Sequence, residues 1–275
     1  ITSWTIDWGD GTAPETVAGS AASVVHTYAD DALMHLISAT AADEDGTYAA
    51  GNSLGLAVRN VSPTVFINGL PGTGPEGVPI HLSATATDPG IHDGLTYLWS
   101  LLKDGVPITV GDGKTFTFVP DGAAAYEVEL SVSDGDGGVG RSSGSMTATN
   151  VAPTLTLSGA ATVREDAPYE LGLSAWDPGA DTLTAWTIDW GDGTVGQVVA
   201  GGATSVFHTY ADPGVYTIAA QGTDEDGTYN SSTVTVSVTG VPDAAIAGLP
   251  AQSPEGAAIS LSANVTDPGL GGIAT

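Results

Sequence analysis

The chain has 275 residues, 32 acidic against five basic, no cysteine, and a formal charge of −27. Five Lys and Arg cannot supply the basic footprint of a nucleic-acid binder, and without cysteine there is no disulfide, thiolate metal site or cysteine nucleophile. No apolar run approaches the ~18 residues of a membrane span, no basic-then-apolar leader is present, which places any secretion signal outside this segment, and 41% hydrophobic content argues against disorder.

Internal repetition organises the rest. WTIDWGDGT occupies Trp4–Thr12 and returns at Trp186–Thr194, and a Val-centred joint returns every 90 residues, at Val61, Val151 and Val241. The boundaries that follow are 1–60, the later part of a repeat; 61–150 and 151–240, two complete repeats; and 241–275, the start of another. The partial repeats imply a segment of a longer array. They also imply that the two pieces complement each other, as consecutive residues of a tandem chain or between neighbouring copies in a fibre.

In 61–150 the pattern predicts strands near 64–67, 79–87, 95–102, 106–110, 114–119, 125–133 and 138–148. Tyr126, Val128, Leu130 and Val132 alternate with Glu127, Glu129, Ser131 and Ser133, the period of a half-buried strand. Ile80, Leu82, Ala84 and Ala86 alternate in the same way, and so do Val234, Val236 and Val238 in 151–240. Short strands split by Gly, Pro and Asp turns, with no helical period, predict all-β sandwiches. Asp212-x-Gly214-x-Tyr216 has the pattern of a tyrosine corner, Asp121 and Tyr126 form a looser copy, and His35 replaces the tyrosine in 1–60. Tyr97, Trp99 and Leu101 align with Trp186, Ile188 and Trp190 as inward positions of the third strand, an aromatic layer in place of an inter-sheet disulfide.

WTIDWGDGT, HTYADPGVYTI and TDEDGTYNSS together resemble the polycystic-kidney-disease-type (PKD) domain. Residues 61–150, where Leu101-Leu102-Lys103-Asp104-Gly105 stands in place of W-G-D-G, are more similar to a generic bacterial immunoglobulin-like repeat. The resemblance implies tandem immunoglobulin-like (PKD-type) β-sandwiches in a linear array. It also implies a bacterial, secreted, extracellular or cell-surface setting, as spacer, adhesive or accessory module. Such folds host many functions, so no single ligand follows.

Catalysis has little support. His26 and His208 are equivalent positions of the repeat, no G-x-S-x-G elbow or H-E-x-x-H pair occurs, and the carboxylates recur with the repeat rather than once per enzyme. The expectation is a non-enzyme.

The recurring carboxylates are the sharper signal. Asp88, Asp177 and Asp267 follow the second strand, and Asp43/Asp45, Asp134/Asp136 and Asp224/Asp226 sit in the hairpin before the last. Both loops belong to the N-terminal pole of a sandwich. Glu76, Glu165 and Glu255, with Asp121 and Asp212, belong to the C-terminal pole. A head-to-tail array thus sets Glu76 and Asp121 toward Asp177, Asp224 and Asp226, with the linker carbonyls near Asn150 between. The next joint pairs Glu165 and Asp212 with Asp267, and the first pairs Asp30 or Asp31 with Asp88, Asp134 and Asp136. Like charges so arranged call for a hard cation, and calcium takes six to eight oxygens where zinc and copper prefer nitrogen or sulfur. The layout resembles cadherin inter-repeat sites without the cadherin linker motif.

The plainer alternative stays open, because Asp-Gly and Asp-Pro-Gly are good turns on backbone grounds. Asp7/Asp10 and Asp189/Asp192 read as turn formers, Asp134-Gly-Asp136-Gly lacks the glutamate of an EF-hand loop, and Tyr48 and Tyr229 read as packing on their own hairpins. The leading functional expectation is a structural or adhesive stalk or fibre, stiffened by calcium, whose partners are adjacent repeats of the same or neighbouring chains. The alternative is a polysaccharide- or protein-binding accessory module of a secreted hydrolase.

Overall fold

Alternation of apolar and polar residues gives strands throughout. The computed structural model describes residues 1–91, 93–241 and 243–266; all its regular elements are strands. The chain divides into two compact units, Ile1–Thr149 and Asn150–Thr275.

Residues 1–60 of the first unit hold β1 (Ser3–Asp7), β2 (Glu15–Ala18), β3 (Ala32–Ala42), β4 (Thr47–Ala49) and β5 (Leu54–Val58). They make one sheet in the order β2-β1-β3-β4, with β5 also on β3. Residues 61–149 hold β6 (Thr64–Asn68), β7 (Thr73–Pro75), β8 (Ile80–Thr87), β9 (Thr96–Lys103), β10 (Val106–Asp112), β11 (Thr115–Phe118), β12 (Ala125–Ser133) and β13 (Val139–Thr149). Their sheets, β10-β9-β12-β13-β7 and β11-β8-β6, face each other across Trp99, Leu101, Tyr126, Val128, Leu130 and Val132. Trp99 stacks on Phe116 at 5.6 Å and donates its indole N–H to the Gly113 carbonyl, so the largest core side chain is also satisfied. The seven strands read from the sequence are present within one or two residues; β7, paired parallel to β13, was not foreseen.

The second unit repeats the design with β14 (Thr154–Gly159), β15 (Thr162–Arg164), β16 (Pro168–Trp176), β17 (Ala185–Asp189), β18 (Gln197–Ala200), β19 (Ser205–Thr209), β20 (Gly214–Thr223), β21 (Thr228–Asn230) and β22 (Val234–Thr239). Sheet β14-β16-β19 packs on β15-β22-β20-β17-β18, with β21 on β20. Beyond it, β23 (Asp243–Ala247) and β24 (Ser262–Thr266) form an antiparallel pair. These are tandem immunoglobulin-like β-sandwiches, complete in 61–149 and in 154–239.

The W-G-D-G turn is one device used twice. Asp7 Oδ1 accepts from the Gly9 N–H at 2.9 Å, and Asp10 Oδ1 from the Thr12 N–H at 3.0 Å. Asp10 Oδ2 meets His26 Nε2 at 2.7 Å, and that ring stacks on Trp8 at 4.6 Å. Asp189, Asp192, His208 and Trp190 repeat each contact, the His208–Asp192 distance again being 2.7 Å. Burial pushes the Asp192 carboxyl up, but the Thr194 hydroxyl and N–H and the His208 ring outweigh it and hold the acid below its ordinary 3.8. A depressed folded pKa contributes stability that is full above the unfolded value and is lost as pH falls through the folded one. Asp192→Asn is therefore expected to flatten the fall of melting temperature below about pH 4. An unchanged acid limb would remove the carboxylate from the account.

Two corner residues behave differently from one another. Tyr216 donates to the Asp212 carbonyl at 2.9 Å, and Tyr126 to Asp121 Oδ1 at 2.7 Å, so both tyrosine corners form. His35 takes the tyrosine's place in the chain but not its bond. Its ring, shorter than a phenol, stacks on Tyr28 and meets the Gly9 carbonyl at 3.0 Å.

Candidate functional site

Three loops meet where residues 1–60 run into 61–149, inside the first unit. The loop after Tyr28 brings Asp30, the turn after β8 brings Asp88 and Asp93, and the β12–β13 hairpin brings Asp134 and Asp136. Carboxylate oxygens of Asp30, Asp93 and Asp136 lie within 4.8 Å of one another, and so do those of Asp88, Asp93 and Asp134. The backbone joins the two sides as well, since Ile91 N–H donates to the Ala29 carbonyl at 3.0 Å. A cleft of about 100 Å³ opens beside them, lined by Asp30, Asp31, Arg59, Asn60 and Asp93 among others.

Each acid has a distinct local role. Asp88 Oδ1 accepts from the Gly90 N–H at 2.8 Å, which closes the Asp-Pro-Gly turn, while Oδ2 is buried with no hydrogen-bond partner. Asp134 is fully engaged: Oδ1 accepts from Asp136 N–H and Gly138 N–H at 2.9 Å each, and Oδ2 from Asn60 Nδ2 at 2.7 Å. The Asn60 amide first, then these backbone donors, hold Asp134 below the usual carboxylate range against the effect of burial. Only glycine fits at 138, because a Cβ there would collide with Asp134 Oδ2 and the Asn60 amide.

Asp93 stands in both triads. Burial raises it most, and Asp30, Asp88, Asp136 and Asp134 add like charge, so its carboxyl is pushed up to about 6. Five carboxylates thus crowd one pocket. Asp93 and Asn60 were not foreseen. Asn60 had a signal, since Asn precedes the joint valine at both 60 and 150, and Asp93 had a weaker one in the acid that follows Asp-Pro-Gly at 93 and 181.

Within their own units, the other expected ligands make the following bonds. Asp43 and Asp224 each bond the N–H groups two and three residues on, as Asp-turn formers. Glu76 is fully buried, and its N–H donates to the Thr149 carbonyl. Asp121 Oδ1 accepts from Lys103 Nζ at 2.8 Å as well as from Tyr126, so that oxygen serves the corner of its own sandwich. Asn150 Nδ2 donates to the Tyr229 hydroxyl at 2.6 Å. Asp177 spends Oδ1 on the Gly179 N–H and lines a cleft with Asp181 and Asp224, and Asp226 follows in the same hairpin. Glu165 Oε1 accepts from the Val241 N–H at 2.6 Å, tying the start of the next linker to the C-terminal pole. Asp212 offers its carbonyl to Tyr216, and Asp267 lies outside the described residues.

The fold defines a class, tandem β-sandwich repeats. Within it, residues 150–240 match the family model described as the PKD domain. No curated protein matches the chain. Among solved structures, the chain is similar to the PKD domain of an M14-like peptidase from a Thermoplasmatales archaeon, with 25% identity over 33% of this chain and 98% of that one, TM-score 0.27. It is also similar to fibronectin(III)-like modules of CbhA from Clostridium thermocellum, with 16% identity over 64% and 93%, TM-score 0.28. Domains FN1–FN3 of chicken CNTN1 give 12% identity over 86% and 89%, TM-score 0.28.

Proposed function

We propose that the chain is an extracellular structural repeat segment whose joints bind calcium and are stiffened by it. The observation that carries this reading is the convergence of carboxylates from two successive repeats at one joint. Asp30 comes from 1–60, while Asp88, Asp93, Asp134 and Asp136 come from 61–149, so an ion held among them ties one repeat to the next. The donor set is all oxygen and strongly anionic, the chemistry calcium favours over softer metals. Asp88 Oδ2 has a free lone pair inside the pocket, and Asp93 gains most from a cation because it faces the like charges of both triads. Asp134 acts differently: its oxygens are committed to Asn60 and the hairpin, so it shapes the site more than it fills it.

Titration calorimetry of the whole chain, stripped with chelator, tests this. Calcium binding is expected in the roughly 10⁻⁴–10⁻³ M range of extracellular modules, weakened at least ~10-fold by Asp93→Asn, which sits in both triads. At about ten times Kd the ion stabilises the folded unit by about 1.4 kcal/mol, a rise of roughly 3–6 °C in melting temperature for a unit of this size. Absence of binding heat, or equal affinity in the variant, would return these acids to turn chemistry alone.

A further inference from the structure

We infer that β10 is a pairing edge, which joins the chain to β10 of a second copy, antiparallel and about a two-fold axis at Thr109. This surface lies apart from the carboxylate joint and does not depend on a cation. β10 ends the sheet β10-β9-β12-β13-β7, so among the described strands one side of its backbone has no neighbour. It runs for seven residues, Val106–Asp112, where the edge strands at the matching place in the other repeats, β2 and β18, have four each. Val106, Ile108 and Val110 are β-branched, the residue type that fits a paired strand, yet they stand 62%, 47% and 69% exposed.

The neighbouring positions extend the apolar edge. Val110 pairs with Ser100, on the outward side of the sheet that also carries the exposed Leu98, while Trp99 and Leu101 turn into the core. Edge strands are commonly blunted by charge along their length; β10 carries none before Asp112. The charges lie just past its two ends instead, and with opposite sign. Asp104, in the turn before β10, and Lys114, in the bend after it, are both exposed, and Thr109 lies midway between them. Lys114 is also one of only five basic residues in the chain.

That symmetry selects the occupant. An antiparallel pair centred on Thr109 sets Asp104 opposite Lys114 of the second copy at both ends, and Ile108 opposite Val110 twice between them, contacts that stabilise a sheet. An in-register parallel pair would set Asp104 against Asp104 and Lys114 against Lys114, which repel. Backbone hydrogen bonds between the two edges supply the remaining affinity. Pro107 and the register shift between Pro107 and Thr109 limit the ladder, because proline donates no N–H and a bulge bends the strand. The contact is therefore weak, and since one patch serves both copies it closes at two chains.

The chain has no native cysteine, so a single one reports the axis. Thr109→Cys is expected to oxidise to a covalent dimer, since residues facing each other across an antiparallel pair stand about 4.5–5.5 Å apart at Cα, within disulfide reach. Val198→Cys, also exposed but on β18, measures random collision and should cross-link several-fold more slowly. Adding Lys114→Asp to Thr109→Cys sets like charges opposite each other at both ends and should slow its dimer at least ~10-fold at low salt. A further Asp104→Asn, which keeps the side-chain oxygen that Ala125 N–H uses, removes that repulsion and should recover most of the rate. Thr109→Cys cross-linking no faster than Val198→Cys overturns the inference, and so does a rate that Lys114→Asp leaves unchanged.

Discussion

Trp186→Ala is expected to destabilise the second unit by about 3–5 kcal/mol, the usual loss for an aromatic removed from a packed core. Trp186 is fully buried in a cluster with Leu171, Ile188, Ile218 and Val236, and its indole N–H donates to the Gly201 carbonyl at 3.0 Å. The substitution therefore leaves a cavity and an orphaned acceptor together. The total stability of a domain is about 5–15 kcal/mol, so much of this sandwich's margin disappears. With no disulfide in the chain, nothing covalent offsets the loss. Denaturant unfolding followed by tryptophan fluorescence measures it; a loss below about 1 kcal/mol would mean the core collapses around the gap.

The two glycines of the W-G-D-G turn should differ sharply. Gly191 has φ of +75° and Gly193 has φ of +82°, so alanine is strained at both, by about 1–2 kcal/mol. At Gly191 the added Cβ would also collide with the Thr217 carbonyl on β20, whereas at Gly193 it meets open space. Overpacking adds roughly 1–3 kcal/mol, so Gly191→Ala should cost about 2–5 kcal/mol and Gly193→Ala only the backbone share. The same contrast holds at Gly9, where a Cβ would lie 2.5 Å from the Leu36 carbonyl, and Gly11, which is open. Equal losses at 191 and 193 would show that turn conformation alone governs the motif.

The strands of 61–150 were legible because alternation and the turn residues agreed at every boundary. The 90-residue period carried that reading into 151–240. β7 was not legible: three residues with a glycine and a proline carry no alternation, and only the parallel pairing to β13 makes them a strand. For the candidate site, the pole at which each loop lies followed from topology, and Asp30, Asp88, Asp134 and Asp136 do converge at the first joint. What topology could not reveal was which oxygen each acid had left to offer. Asp134 is committed to its own hairpin and to Asn60, and Asp121 to Tyr126 and Lys103, while Asp88 keeps one oxygen free and Asp93 links the two triads. Those assignments depend on side-chain contacts in space, the Asn60–Asp134 bond spanning 74 residues of the chain.

In the function proposed above, a cation stiffens the joint between residues 1–60 and 61–149. Spin labels at Ala13→Cys and Ser143→Cys, both exposed, report the distance between the two repeats by pulsed electron resonance. One narrow distance distribution is expected in millimolar calcium, a broad one in chelator, and a broad one in both conditions for Asp93→Asn. A distribution that is the same with calcium and with chelator would contradict it.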